Sequence, residues 1–403
     1  MLSWEQSPSL ASMRCERAWV EISLPALAEN VRYLKKLLSP KTDLMAVIKA
    51  DAYGHGAVQV AQIVLNAGAD WLGVATIPEG IELRESGITA PVLVLGATNT
   101  PEQVRTLVRW QLQPTLCTPQ QALIFSETLQ SLSFANGKEI TLPVHIKLDT
   151  GMSRLGSPWQ EATEFVQCVS ACPNLKIASI YSHFATADSP DTTIMSQQYA
   201  RFEKSISALR YAGLPIPKLH LSNSAAALTN SHLHYDMVRI GLAIYGLYPA
   251  PHLKPVVELK PVMQIKARIT QIKTLQPGTG VSYGHQFITS QPMRLAVVGI
   301  GYADGIPRNL SNKMKVLLRG EWVSQIGAIT MDQLMLDVTA IPDLQVGEVV
   351  TLLGTEGKHQ ITAEDWATML GTISWEILCS FKHRLPRVPV GQPFEIQQQP
   401  AQP

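Results

Sequence analysis

The sequence carries almost no net charge: Lys and Arg total 33 and Asp and Glu total 32 in 403 residues. A chain so balanced has no long-range field to gather nucleic acid or an anionic membrane, although a local cluster of cations stays open to it. Paired cysteines are missing as well. Cys15, Cys117, Cys168, Cys172 and Cys379 are odd in number, scattered, and form no CxxC. They read as reduced thiols of a cytoplasmic protein, with no disulfide framework and no metal site expected. No apolar run approaches the ~18 residues needed to span a bilayer. Met1 to Glu16 is polar and lacks the apolar core of a secretory signal, so 1–16 reads as a disordered arm. No internal repeat is present.

What the sequence does have is enough apolar material for more than one core. Hydrophobic residues make up 46% and charged residues 16%, which suits a globular chain, and the length points to two domains. Trp19-Val20-Glu21-Ile22 alternates like a strand. A helix is expected over Leu24–Leu38, with Ser23 as its N-cap and Pro25 as its first helical residue. Short β-branched runs then alternate with helical patterns. The runs are Leu44–Ile48, Trp71–Ala75, Val92–Leu95, Pro114–Cys117, Pro143–Leu148, Lys176–Tyr181, Lys218–Leu221 and Met237–Ile240. Eight strand-then-helix units predict an α/β fold, a closed (β/α)8 TIM-like barrel over 17–255, with the first strand, 18–23, left open to join a second domain. From Pro261 the chain reads as strands at Met263–Ile272, Leu295–Gly299, Lys315–Leu318 and Val349–Leu353, with helices near Glu364–Leu370 and Ser374–Cys379. This predicts a C-terminal β-rich domain over 256–397 and a Gln/Pro-rich tail over 398–403.

In such a barrel, chemistry gathers where strands end. The first strand runs into Lys49-Ala-Asp-Ala-Tyr53-Gly-His-Gly56. A lysine continuing an apolar strand is either a desolvated amine able to form a Schiff base or a snorkelling side chain before a glycine turn. The fifth gives Lys147-Leu-Asp-Thr-Gly-Met-Ser-Arg154. Lys147 should point into the barrel, either paired with an Asp or serving the site, and Arg154 suits a carboxylate or phenolate oxygen. The sixth gives Ser182-His183, the seventh His220-Leu-Ser222-Asn223-Ser224, and the eighth Arg239-Ile-Gly241-Leu242. A lone histidine is more often structural, and a serine there is often only a helix cap. Loops after strands seven and eight are also the usual phosphate site of these barrels.

Taken in order, these motifs resemble those of the alanine racemases. The likeness continues through Ser282-Tyr283-Gly, Gly301-Tyr302-Ala-Asp-Gly, Met331-Asp332 and Arg384-Leu-Pro-Arg387, and covers roughly Ala18 to Val390. The resemblance implies a pyridoxal 5'-phosphate enzyme, a homodimer with active sites shared across the interface, and alanine as its small-molecule substrate. Lys49 would carry the cofactor as an imine. Tyr53, Ser224, Gly241 and Leu242 would hold its phosphate, Asn223 would also bind the cofactor, Arg239 would face its ring nitrogen, and His183 would lie nearby. Arg154 would meet the phenolic oxygen and the substrate carboxylate. Lys147 would be carbamylated, giving an anion that fixes Arg154. Tyr283 of the partner subunit would be the second catalytic residue, with Met331, Tyr302 and Asp332 contributing to the substrate site. D-alanine for peptidoglycan would be the product used in the cell. One departure stands out: the family often has a tyrosine before its Arg-Val-Pro-Arg motif, and here His383 takes that place.

Racemisation explains why such groups are needed. The Cα proton must leave one face and return on the other. A positioned acid or base contributes about 10²–10⁴, so an electron sink has to supply the rest. Two faces call for two bases, with Lys49 serving the D face and Tyr283 the L face. A free phenol titrates near ~10, so ionising one at pH 7 costs about 4 kcal/mol, which nearby cations would offset. Three other readings remain: a decarboxylase of a larger amino acid, for which the usual glycine-rich phosphate run is missing; a serine or broad-specificity racemase; and a non-catalytic cofactor-binding barrel, which would lack the β domain and Tyr283.

Overall fold

The computed structural model of the chain describes residues 17–391. The arm expected over 1–16 and the tail expected over 398–403 lie outside the described residues. The chain separates into two compact units, and its path between them is discontinuous: 26–52 and 57–260 form one, while 17–25, 53–56 and 261–391 form the other.

The first unit is built on eight parallel strands: β1 (Asp43–Val47), β2 (Trp71–Val74), β3 (Val92–Ala97), β4 (Gln113–Leu116), β5 (Leu142–Asp149), β6 (Leu175–Tyr181), β7 (Lys218–His220) and β8 (Met237–Ile240). Their spatial order is β8-β1-β2-β3-β4-β5-β6-β7. The last strand returns beside the first, with Met237 opposite Asp43 and Ile240 opposite Ala46. Between β7 and β8 the seam is held by the Asp236 amide donating to Leu219 O and the Arg239 amide donating to Ser222 O, both at 3.0 Å. Strands covered on both faces can be apolar throughout; Leu44, Met45 and Ala46 are all fully buried. The expected (β/α)8 barrel is therefore the fold.

Two of the helices between strands start on the same local device. Thr100-Pro101-Glu102-Gln103 and Thr118-Pro119-Gln120-Gln121 open the helices Pro101–Arg109 and Pro119–Asn136. In the second, the Gln121 amide donates to Thr118 Oγ1 at 3.2 Å and the Thr118 amide donates to Gln121 Oε1 at 3.1 Å. Each reciprocal cap satisfies two amides that the first turn would otherwise leave bare, and proline loses nothing at a position with no intrahelical donor role.

In the second unit, Ala18–Ser23 lies between Met263–Leu275 and Arg387–Val390, antiparallel to the first and parallel to the second. The strand over 18–23 thus belongs to the β-rich unit. Met263–Leu275 is 13 residues long. A bulge between Ile269 and Gln271 bends it, so its first half pairs with Val349–Glu356 and its second with Met293–Val298. Val281, Met293, Leu295, Val297, Ile326 and Met335 form an apolar cluster on the second half. No helix among the described residues is long and apolar enough to cross a membrane.

Candidate active site

Lys49 follows β1 directly and opens a single turn, Lys49–Gly54. That turn is left-handed: Ala50, Asp51, Ala52 and Tyr53 have φ between 52° and 54°. Such a conformation costs L-residues roughly 1–2 kcal/mol each, so the surroundings must impose it. Glu79 Oε1 accepts from the Ala50 amide at 2.8 Å, Ile48 O from the Ala52 amide at 2.9 Å, and Asp51 Oδ1 from the Ala57 amide at 2.7 Å. Gly54 ends the turn at φ +81°, where a Cβ would lie 2.7 Å from Leu378 O; only glycine fits. Burial pushes the Tyr53 phenol up, which keeps it a neutral donor.

Inside the barrel, Arg239 on β8 is almost wholly buried, and two of its guanidinium nitrogens are bonded. One guanidinium nitrogen donates to His220 Nδ1 at 2.9 Å. The other donates to Ser182 O at 2.7 Å and Leu221 O at 3.1 Å, and lies 3.2 Å from His183 Nδ1. Its Cζ stands 5.1 Å from the centre of the Tyr181 ring. Lys147 on β5 is also buried, with Nζ 5.5 Å from the same ring. Burial lowers Arg239 to about 10. Burial, then repulsion from Arg239 with smaller parts from Arg154 and Lys49, lowers Lys147 to about 8. Burial and the same cations hold His183 well below the usual histidine range, so it is neutral. The structure thus brings Lys49, Lys147, Arg154, His183 and Arg239 into one electrostatic cluster at the strand ends. Asp149 turns away from Lys147 and orders the loop that presents the exposed Arg154: its Oδ1 accepts from the amides of Gly151 and Ser153 at 2.9 and 3.0 Å.

Ser224 Oγ accepts from the Gly241 amide at 3.0 Å, which joins the loop after β7 to the loop that continues into Leu242. Asn223 caps the short helix Ser224–Thr229, its Oδ1 accepting from the Ala226 amide at 3.0 Å; its acceptor oxygen is used there.

The other expected residues stand in the β unit. Tyr283 is 74% exposed on a turn with Ser282 at φ 64° and Gly284 at φ 71°. The amides of Tyr302 and Ala303 donate to Thr330 O and Met331 O, both at 3.0 Å, so Tyr302 and Met331 are held side by side. Beneath them Arg17 grips the buried Asp304 carboxylate with two bonds of 2.7 Å, and Arg384 donates to Asp332 Oδ1 at 2.6 Å. The sequence offered no signal for the Arg17–Asp304 pair, whose members are far apart in the chain. Nor did it single out Tyr181 or the inward-facing His145 and Ser179, which read only as parts of strands.

A (β/α)8 barrel whose strand ends gather lysine and arginine around neutral histidines, within a chain that also carries a β-rich unit, has the architecture of a barrel enzyme. The chain belongs to the alanine racemase family. Its residues 22–249 match the family's N-terminal domain and 262–389 its C-terminal domain. It is 66% identical over 375 residues to the alanine racemase of Nostoc sp., covering 93% of this chain and 96% of that one. It is 63% identical to that of Synechocystis sp., covering 93% and 99%. Among solved structures, the alanine racemase of Clostridium difficile 630 superposes with a TM-score of 0.87 at 37% identity, covering 93% and 96%.

Proposed function

We propose that the chain interconverts L-alanine and D-alanine as a cytoplasmic homodimer that uses pyridoxal 5'-phosphate and supplies D-alanine for peptidoglycan synthesis. The observation that carries this reading is the gathering of Lys49, Lys147, Arg154 and Arg239 at the strand ends, where burial first and the neighbouring cations second lower the Lys147 ammonium. Such a donor set fits a ligand with a phosphate dianion, a phenolate oxygen and a carboxylate. When bound, the cofactor supplies an electron sink for the carbanion formed at Cα.

Lys49 would hold the cofactor through Nζ. The Gly241 and Leu242 backbone, Ser224 and the neutral Tyr53 phenol would hold its phosphate, with Asn223 fixing the helix start beside them. Arg239 can only donate, so at the ring nitrogen it would leave that nitrogen largely unprotonated and moderate the sink, with neutral His183 alongside. Arg154 would orient the phenolic oxygen and the substrate carboxylate. Lys49 Nζ would move the Cα proton on the D face, and the phenol oxygen of Tyr283 of the partner subunit on the L face. The high exposure of Tyr283 on its own unit supports that assignment. Met331, Tyr302 and Asp332 would complete the substrate side of the shared site.

The test is purified protein with pyridoxal phosphate, given L-alanine, L-serine and L-lysine separately while the D-isomer is followed. Fast D-alanine formation with slow reaction of the other two is expected. Bound cofactor without racemisation would favour a decarboxylase or a binding module, and faster serine turnover would move the specificity.

Lys147 carries a second expectation. An amine lowered to about 8 is about one-tenth neutral at pH 7 and about half neutral at pH 8, and the lone pair of that neutral form can add to CO2, releasing a proton and leaving a carbamate. That anion would relieve the repulsion around Arg154 and Arg239. With ¹³C-bicarbonate, a carbamate resonance should grow as pH rises from 6 to 9 and be absent in Lys147→Ala. A resonance that persists in the variant, or none in the wild type, would end the carbamate reading.

A further inference from the structure

One residue from each of five consecutive strands forms a polar chain through the barrel interior, a space that Val, Leu and Ile usually fill. Gln113 stands on β4, His145 on β5, Ser179 on β6, His220 on β7 and Arg239 on β8. Successive links are Gln113 Oε1 to His145 Nε2 at 2.9 Å, His145 Nδ1 to Ser179 Oγ at 2.6 Å, Ser179 Oγ to His220 Nε2 at 2.7 Å, and His220 Nδ1 to Arg239 at 2.9 Å. His145, Ser179 and His220 have no exposed surface.

The direction of every bond follows from one end. A guanidinium only donates, so His220 Nδ1 accepts and the His220 proton sits on Nε2. That N–H donates to Ser179 Oγ. The Ser179 hydroxyl then donates to His145 Nδ1, which leaves the His145 proton on Nε2, facing Gln113. Gln113 presents Oε1 there, as the sequence of bonds demands. Burial lowers His145 to about 3 and His220 well below the usual range, so both rings are neutral, as single-donor links must be. Tyr181 braces the same ring: it stacks on His220 at 4.6 Å and 8°. The Tyr181 hydroxyl donates to Thr115 Oγ1 at 2.7 Å, because Thr115 donates its own proton to Val94 O at 2.8 Å.

We infer that Gln113, His145 and Ser179 are positioning residues for the racemisation: through His220 they form a one-way relay that presents a fixed acceptor to Arg239 and holds its guanidinium in place. The inference rests on the proposed placement of Arg239 at the cofactor's ring nitrogen. None of the three needs to touch substrate. Without the relay, the His220 ring could turn or change tautomer, and an N–H facing the guanidinium would push it away.

The test is solid-state NMR of the holoenzyme labelled with ¹⁵N-histidine, with His145 and His220 identified by the signals lost in His145→Gln and His220→Gln. Wild type should show both rings neutral with the proton on Nε2. Ser179→Ala should change the His220 Nε2–H signal and lower kcat for alanine about tenfold, the scale seen when the partner of a site residue is removed, with KM little changed. Ser179→Thr, which keeps the hydroxyl, should restore both. A proton on His220 Nδ1, a charged ring, an unchanged kcat in Ser179→Ala, or a Thr variant no better than Ala would each overturn the inference. A wild type inactive on alanine that still shows both Nε2–H tautomers would instead overturn the proposed activity and with it the positioning role, while supporting the relay's direction.

Discussion

Lys49→Ala should be without measurable racemase activity, a fall of at least about 10⁴, because it removes a proton-transfer group worth about 10²–10⁴ together with the amine that would hold the cofactor. The geometry leaves little room for substitution by a neighbour. Lys49 opens a turn whose next four residues are all left-handed, so the position of its Cα is set by Glu79, Ile48 and Asp51 rather than by local preference. Lys147, another amine of the cluster, lies on β5 and is buried against Tyr181. The measurement is D-alanine formation from L-alanine, with the visible band of a lysine-linked cofactor read on the same sample. The band should vanish with the activity. A variant that keeps both would remove Lys49 from the mechanism.

Tyr283→Phe should divide the two faces. Hydrogen–deuterium exchange at Cα of L-alanine should drop by about 10²–10⁴, the range for a single acid or base, while exchange from D-alanine falls far less. Equal losses from both enantiomers would sink the assignment of Tyr283 to one face. The same residue tests the dimer. If each site takes Lys49 from one subunit and Tyr283 from the other, a Lys49→Ala chain paired with a Tyr283→Phe chain has one intact site of two. Random re-pairing of the inactive variants should then recover about one quarter of wild-type sites. No recovery after proven subunit exchange would mean that both groups act within one chain.

The barrel was legible because its strands are short, apolar runs separated by helices of ordinary length, and each of the eight expected runs overlaps an observed strand. The β unit was legible only in part: Lys315–Leu318 was found although it is short, but other short strands were not. Glu321–Ser324, Leu334–Asp337 and Arg387–Val390 have four residues each, too few for alternation to stand out, and their pairing is set by distant partners. The motifs placed Lys49, Lys147, Arg154, His183 and Arg239 at strand ends, where the structure has them. The left-handed turn was invisible, since nothing in Ala-Asp-Ala-Tyr disfavours an ordinary right-handed helix; tertiary hydrogen bonds decide it. The polar relay was hidden for another reason. His145 and Ser179 lie on strands whose inward face is known only after the register is set, and a lone histidine in an apolar run has no direction of its own.

Ala18–Ser23 has a consequence for how the chain is made. It is among the first described segments to be synthesised, yet both neighbours in its sheet, Met263–Leu275 and Arg387–Val390, come late. At roughly 5–20 residues per second, Met263 leaves the ribosome on the order of 12–50 seconds after Ser23. Every barrel strand from Asp43 to Ile240 is complete by then, so the barrel can close while this strand still waits with both edges bare. A ribosome that stalled before Met263 would hold a finished barrel carrying an apolar strand with nothing to pair with, which is the kind of nascent chain that holding chaperones recognise.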